Sequence, residues 1–311
     1  MKELPAQTGA GLPEAWRPLW EDYVILKRQA VSERTLQNYY EAMLSLARFL
    51  APHTPSLEAL TRYHLGAYLA ELSSRTAPAT AGMYYRALSA VFGFLSLPGP
   101  DDEPFLERNP LKGLPPPRQQ GTVVPVLSLE DARRLLAACK GHDFDSRRDE
   151  AMVRVLFDTG VRRGELASMR VDPTWLNLQK GTAMVTGKTG PRLVAFGPKT
   201  GAALLRYKRL RQRRSGDETA LWLGHRGPLR GNGIYQALDR RFTEAGISAK
   251  HRVHIFRHTF SHEFQLAGGS EGDLMQLNGW TTAAMAHRYG RSAAQERARE
   301  AHARFGPGER L

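Results

Sequence analysis

The stretch "LPGPDDEPFLERNPLKGLPPPRQQG" (97–121) limits what this chain can become more than any other part of it. Each proline removes a backbone donor and pushes the residue before it out of the helical region. No helical or strand period survives across the stretch, so it reads as an extended linker between two bodies. With 311 residues there is enough chain for two cores. The expected layout is a tail over 1–12, a helical domain over 13–97, a linker over 98–122 and a second domain over 123–311.

Before the linker the apolar period is that of helices. "EAWRPLWEDYVILKRQA" carries Trp16, Leu19, Trp20, Tyr23 and Val24 at helical spacing. "SERTLQNYYEAMLSLARFLA" starts at an N-cap, Ser32, and presents Leu36, Tyr40, Met43, Leu44, Ala47 and Leu50 as one face. "TRYHLGAYLAELSS" and "TAGMYYRALSAVFGFLS" complete a four-helix domain. Past the linker, helices starting at Ser128 and near Ser146 precede a change of period over 174–197. There "WLNLQ", "TAMVTG" and "RLVAFG" alternate between glycines, as a small antiparallel sheet does. Helical patterns then resume. The fold class is mainly α, with a mixed α/β second domain.

Charge separates the same two bodies. Residues 1–120 hold 12 Lys and Arg against 12 Asp and Glu, so the remainder carries all of the net +13. A basic globular domain of this kind usually meets a polyanion, and nucleic acid is the commonest. The single cysteine, Cys139, excludes an intrachain disulfide. No apolar run is long enough to cross a membrane, and MKELPAQTGA lacks the apolar core of an export signal. The expected compartment is the cytoplasm.

Four separated clusters remain. "DTGVRRGELASMR" delivers Arg162 and Arg163 from a glycine turn to a helix carrying Glu165. "TGKTGPR" sets Lys188 at a tight turn between strands, and "HIFRHTF" sets His254 and Arg257 one helical turn apart with Ile255 and Phe256 facing the core. "LNGWTTAAMAHRYG" puts Trp280 at a glycine turn and Tyr289 nine residues on. Each has an ordinary reading alone: a helix cap pair, a soluble turn lysine, a core histidine, a packed tyrosine.

Together and in this order the four clusters resemble the tyrosine recombinase family, which takes in phage integrases and the Xer-type and Cre-like recombinases. The resemblance spans essentially the whole chain and implies a two-domain DNA clamp. In it a helical core-binding domain and a catalytic domain embrace duplex DNA. It implies Tyr289 as the nucleophile that forms a 3′-phosphotyrosine and releases a 5′-hydroxyl. Arg162 and Arg257 would bind the non-bridging oxygens, Lys188 would protonate the leaving oxygen, and His254 would act as acid or base beside the nucleophile. Trp280 takes the second His/Trp position, Glu165 steadies the site, and His258 supports it. Elementary chemistry agrees with these roles. The equatorial oxygens of a transferring phosphoryl group carry extra negative charge, and fixed guanidiniums meet it without a metal. No metal, cofactor or ATP is expected, because the phosphotyrosine keeps the energy of the broken bond.

Some positions depart from the family. "NGW" stands where most Xer-type members have "LGH", and the tryptophan there is Cre-like; its indole N–H can donate to a phosphate oxygen but shuttles no proton. Arg163 and Gly164 replace residues that are often apolar and serine. Arg163, Arg34 and Arg86 are candidate DNA contacts, as are Arg209 and Arg213 in "RYKRLRQRRSG", whose six cations share one helix. A last helix over 292–305, striped by Ala294, Ala298, Ala301 and Phe305, would by resemblance dock into a neighbouring protomer. The expected assembly is a homotetramer on two inverted-repeat sites, with accessory proteins left open. The alternatives are a type IB topoisomerase-like relaxing enzyme and a non-catalytic DNA-binding regulator.

Overall fold

The computed structural model describes residues 5–51, 53, 55–98, 103–118, 125–187, 190–214, 216–248 and 253–310. Two compact units divide the chain, Met1–Thr122 and Val123–Leu311.

In the first unit a short helix α1 (Pro5–Thr8) and a 3-10 turn (Glu14–Trp16) lead into α2 (Arg17–Lys27), α3 (Glu33–Leu50), α4 (Arg62–Arg75) and α5 (Pro78–Leu95). Local chemistry sets the starts. The Ser32 hydroxyl accepts the Thr35 N–H at 3.2 Å, and Pro78 occupies the first turn of α5, where no amide donor is needed. Thr61 and His64 form a reciprocal cap: the Thr61 hydroxyl accepts the His64 N–H, and His64 Nδ1 accepts the Thr61 N–H. The face that α3 buries is centred on Leu36, Tyr40, Met43 and Ala47, as its period predicts, with Ala42 and Leu46 beside them. Leu44 and Leu50 lie only at its margin. The shift follows from packing α3 against both α5 and α4, which turns a wider arc inward.

Two segments expected to be loose belong to this core. Ala6 and Leu12, in the stretch read as a tail, are buried, and Trp20 Nε1 donates to the Ala6 carbonyl at 3.1 Å. In the stretch read as a linker, Leu106 and Leu111 are buried, the Leu106 N–H donates to the Leu95 carbonyl at 2.8 Å, and the Tyr85 hydroxyl donates to the Leu114 carbonyl at 2.8 Å. Isolated leucines among prolines supply apolar anchors without any period, so the segment lies along the unit's surface with neither helix nor strand. Trp16 is fully buried and its Nε1 donates to the Pro55 carbonyl at 2.8 Å. Trp16→Ala is therefore expected to destabilise this unit by about 3–5 kcal/mol, read as a lowered urea midpoint.

The second unit is built around α7 (Phe144–Thr159), which follows α6 (Leu129–Ala138) and is buried on nearly every side. Its charges are paired there: Asp149 accepts from Arg148 and Arg241 at 2.9 Å each. Next come α8 (Arg163–Ala167) and a three-stranded antiparallel sheet, β1 (Leu176–Asn177), β2 (Thr182–Gly187) and β3 (Gly190–Ala195), in that spatial order. A helix α9 (Pro198–Gln212) precedes a two-stranded hairpin, β4 (Leu223–Gly224) and β5 (Gly227–Pro228), too short to leave a periodic signal. The unit ends with α10 (Gly231–Glu244), α11 (His254–Leu266), α12 (Glu271–Asn278), α13 (Ala283–Phe305) and a 3-10 turn (Pro307–Arg310). Helices α9, α10 and α11 and strand β3 all pack on α7.

The final helix is longer than the sequence suggests. One 23-residue helix, Ala283–Phe305, carries Tyr289 and takes in the whole of the expected 292–305 helix without a break. Gly290 is the one weak helix former after Tyr289, and the alanines, arginines and glutamates beyond it outweigh its roughly 1 kcal/mol penalty.

Candidate active site

Two chain reversals in the second unit, and the packing of α13 on α11, bring distant side chains to one place. Helix α7 ends at Gly160, whose φ of +57° is left-handed, and a Cβ there would lie 2.7 Å from the Phe260 ring. This turn sets Arg162, in extended backbone, as the N-cap of α8. Trp222 Nε1 donates to the Leu166 carbonyl at 2.8 Å, and the Thr186 N–H donates to the Ser168 hydroxyl at 2.7 Å, so α8 is fixed to core and sheet. Helix α12 ends at Gly279, φ +62°, which delivers Trp280. Tyr289 follows on α13, packed against α11.

Glu165 is the carboxylate of the site, 1% exposed. It accepts the Arg162 N–H at 2.7 Å and Arg162 Nη1 at 3.0 Å, and also Arg192 Nη2 at 2.8 Å and Nε at 3.3 Å. Burial alone pushes its carboxyl up. The Arg192 hydrogen bonds, the Arg162 amide and both guanidinium charges outweigh that and hold it below the usual carboxylate range.

Arg257 is 0% exposed. Its Nη1 donates to the Gly160 carbonyl at 2.9 Å and its Nη2 to the Asn278 carbonyl at 2.7 Å, tying the ends of α7 and α12 together. The guanidinium lies 5.0 Å from the Trp280 ring centre and 5.8 Å from that of Tyr289. It is pushed down to about 10, chiefly by burial and also by the Arg162 and Arg192 charges, against the opposing influence of Tyr289 and Glu165. Two guanidiniums, Arg162 and Arg192, thus bind a single carboxylate, and the charge of a third, Arg257, is felt by it without a direct bond. Such a site favours an anion. Two buried donors, Arg257 Nε and Trp280 Nε1, make no hydrogen bond among the described residues.

Tyr289 sits in an aromatic box. Its ring stacks on His258 at 4.3 Å and tilts against Trp280 at 4.7 Å, and its hydroxyl oxygen is 3.1 Å from His254 Nε2. His254 itself is exposed, at the start of α11. A hydroxyl next to an imidazole and a cluster of guanidiniums has both a base and a cationic field, the two aids that phenolic nucleophiles need near neutral pH.

Seven of the residues singled out in the sequence therefore meet here: Arg162, Glu165, His254, Arg257, His258, Trp280 and Tyr289. Lys188 lies outside the described residues. The strands that lead to and from it close on the rung Gly187–Gly190, and a Cβ at Gly187 would come within 3.0 Å of Glu165 Oε1, so this end of the hairpin abuts the site. Arg163 is exposed and shares a cleft of about 410 Å³ with Arg162, Gly164, Tyr235, Val253 and His254. Arg34 and Arg86 are exposed on the first unit, Arg209 on α9 and Arg213 just past its end. The basic run on α9 is not one outward face. Arg206 donates to Glu150 at 2.8 Å, and Arg211 is buried on the carbonyls of Glu218, Ala220 and Leu221.

Arg192 is the member of the site that the motifs did not announce. Its signal was alternation: on β3 it shares the inward face with buried Val194, while Pro191, Leu193 and Ala195 are exposed. An inward charge on a half-buried strand needs a partner, and here the partner is Glu165.

Comparison with known proteins agrees with this geometry. Residues 125–296 match the phage integrase family, and residues 19–97 match the phage integrase N-terminal SAM-like domain. Tyrosine recombinase XerC of Ralstonia pickettii (strain 12J) is 26% identical over 300 residues, 90% of each chain. The XerC of Thermodesulfovibrio yellowstonii is 26% identical over 185 residues, 57% of this chain and 61% of that relative. Among solved structures, the XerH site-specific recombinase bound to palindromic difH substrate aligns at TM-score 0.73 with 16% identity, over 91% of this chain and 83% of that one. A lambda integrase dimer bound to a COC′ core site aligns at TM-score 0.68 with 19% identity, over 88% and 94%. At those identities the structures speak for the fold.

Proposed function

Because the chain belongs to the phage integrase family, we propose that it is a site-specific DNA recombinase acting through a 3′-phosphotyrosine, with neither metal nor ATP. The observation that carries this reading is the Tyr289 hydroxyl at 3.1 Å from His254 Nε2, with the Arg257 guanidinium under its ring and two more guanidiniums, Arg162 and Arg192, sharing one carboxylate.

The Tyr289 oxygen attacks phosphorus while its proton passes to His254 Nε2. The bond from phosphorus to the 5′-oxygen breaks, and the Lys188 ammonium supplies that oxygen with its proton. Arg162 and Arg257 hold the non-bridging oxygens as charge builds on them, with Trp280 Nε1 as a neutral donor. Glu165 and His258 orient Arg162 and the Tyr289 ring. Since the Tyr289 and Trp280 rings lie over Arg257, the phosphate reaches that guanidinium only as the Tyr289 ring moves aside to attack. Rejoining is the same path reversed, with a 5′-hydroxyl from another strand.

The test is covalent capture. The chain is incubated in EDTA with a pool of nicked duplexes of randomised sequence, and SDS-resistant adducts are recovered and digested. A DNA-linked peptide containing Tyr289, and exchange between two copies of the captured duplex, are expected. Capture only in the presence of a divalent ion, or a linked residue other than Tyr289, defeats the proposal.

Arg34, Arg86, Arg163, Arg209 and Arg213 are proposed phosphate contacts. Replacing any one by alanine is expected to reduce the slope of log affinity against log salt by about one, uniformly across sequences. An unchanged slope removes that residue from the contact set.

A homotetramer on two inverted-repeat sites, working in the cytoplasm, completes the proposal. Along the outer part of α13, Ala294, Ala298 and Ala301 are exposed and Phe305 is 71% exposed, an apolar stripe suited to a neighbouring protomer. Since Tyr289 rides on the same helix, a truncation would disturb the nucleophile too, and a point change is the cleaner probe. Phe305→Ala is expected to keep adduct formation on one site within about threefold and to lower two-site recombination at least about tenfold. Full recombination by this variant would make the stripe dispensable.

A further inference from the structure

Resting on the recombinase reading, we propose that Arg192 is a positioning residue whose charge balances Glu165, leaving the Arg162 guanidinium charged toward a phosphate. Glu165 has two oxygens and takes four hydrogen bonds, two from Arg162 and two from Arg192. One carboxylate cannot neutralise two guanidiniums, and their exposures differ in the direction the proposal needs. The Arg192 side chain is 13% exposed and faces inward, whereas that of Arg162 is 36% exposed and opens to solvent. The buried cation is bound wholly within the protein; the open one keeps donors for a ligand. Without Arg192, Glu165 and Arg162 would form a closed neutral pair, and the phosphate would meet a weaker field.

The rest of the geometry fixes Arg192 in that role. Its Nη1 donates to the Leu277 carbonyl at the end of α12. Gly279 makes room for it, since a Cβ there would lie 2.9 Å from Arg192 Cδ. From β3, Arg192 therefore joins the strand that follows Lys188, the carboxylate that orients Arg162, and the turn that delivers Trp280. A packing residue would need only its bulk. This one presents all three nitrogen atoms of its guanidinium to named acceptors.

A charge-balancing role makes a prediction that a packing role does not: removing the negative charge should repair the loss of the positive one. The comparison uses the full chain, Arg192→Gln, Arg192→Lys, Glu165→Gln and the double variant Arg192→Gln/Glu165→Gln. Two readouts are taken: single-turnover cleavage of the duplex captured by the unaltered chain, and calorimetric binding of inorganic phosphate. Arg192→Gln is expected to lose about tenfold or more in both, with the double variant recovering several-fold over it, and Arg192→Lys to fall between Arg192→Gln and the unaltered chain. Losses that simply multiply in the double variant, or an Arg192→Gln chain that binds phosphate as the unaltered one does, overturn the proposal. The double variant removes the carboxylate together with its buried partner, so Glu165 is not left short of a cation and the variant remains informative if Arg192→Gln alone folds poorly. If the unaltered chain captures no duplex, the recombinase reading fails, and the phosphate titration still decides the role of Arg192.

Discussion

A Tyr289→Phe chain is expected to form no SDS-resistant adduct with a nicked duplex that the unaltered chain captures, at any incubation time, while binding that duplex within about twofold. In the proposed reaction the hydroxyl oxygen is the atom that joins phosphorus, and phenylalanine has none. The ring contacts are those of the unaltered chain: stacking on His258, the tilt against Trp280, and the cover over Arg257. What the fold loses is one hydrogen bond with His254, about 0.5–1.5 kcal/mol. A small shift in thermal midpoint should therefore accompany a complete loss of chemistry. Tyr235 is the control. It is exposed in the cleft that also holds Arg162, Arg163 and His254, so residual adducts in Tyr289→Phe that vanish in Tyr235→Phe would move the nucleophile to α10.

The two arginines separate chemistry from stability. Removing one donor aimed at developing negative charge typically slows a reaction about 10²–10³-fold. Arg162→Ala should show that loss in single-turnover cleavage with little change in urea midpoint, because its side chain is partly exposed and Glu165 keeps Arg192. Arg257→Ala should lose at least as much cleavage and also destabilise the unit. It strips the Gly160 and Asn278 carbonyls of their donors, each at about 1–3 kcal/mol. Equal stabilities for the two variants would mean that the Arg257 hydrogen bonds contribute nothing to the fold. Cleavage within tenfold of the unaltered chain in either variant would remove that arginine from the reaction.

What could be read from the residues depended on whether a signal was local. That Arg162, Glu165, His254, Arg257, Trp280 and Tyr289 belong together was legible from the family resemblance of four short runs taken in order; spacing by itself showed only which of them share a turn or a helix face. The small sheet was legible from its alternation. Arg192 was missed because its significance comes from Glu165, 27 residues away, through a contact made only when β3 lies beside α8. Leu106, Leu111 and Leu114 were read as part of a linker because the prolines around them erase any period, although their side chains still find a core. The charges on α9 looked uniform in sequence; Glu150 and three backbone carbonyls, all supplied from elsewhere in the unit, take Arg206 and Arg211 out of the exposed set. The length of α13 was hidden by Gly290, whose cost is real but smaller than the helix propensity on either side.

The two carbonyls that hold Arg257 also bear on how such a chain can change over generations. On the proposed roles, substitutions at Tyr289 or Arg162 would remove the reaction and leave a folded protein that still grips DNA, so a lineage could drift through them without losing the molecule. On the same proposal a substitution at Arg257 would remove the reaction and loosen the joint between the ends of α7 and α12 in one step, so selection against misfolding would oppose it even after cutting is no longer needed. Descendants that bind DNA without cleaving it should therefore have lost the tyrosine or the first arginine and kept the second. In such a protein, an arginine at this position would be a relic of catalysis maintained by folding alone.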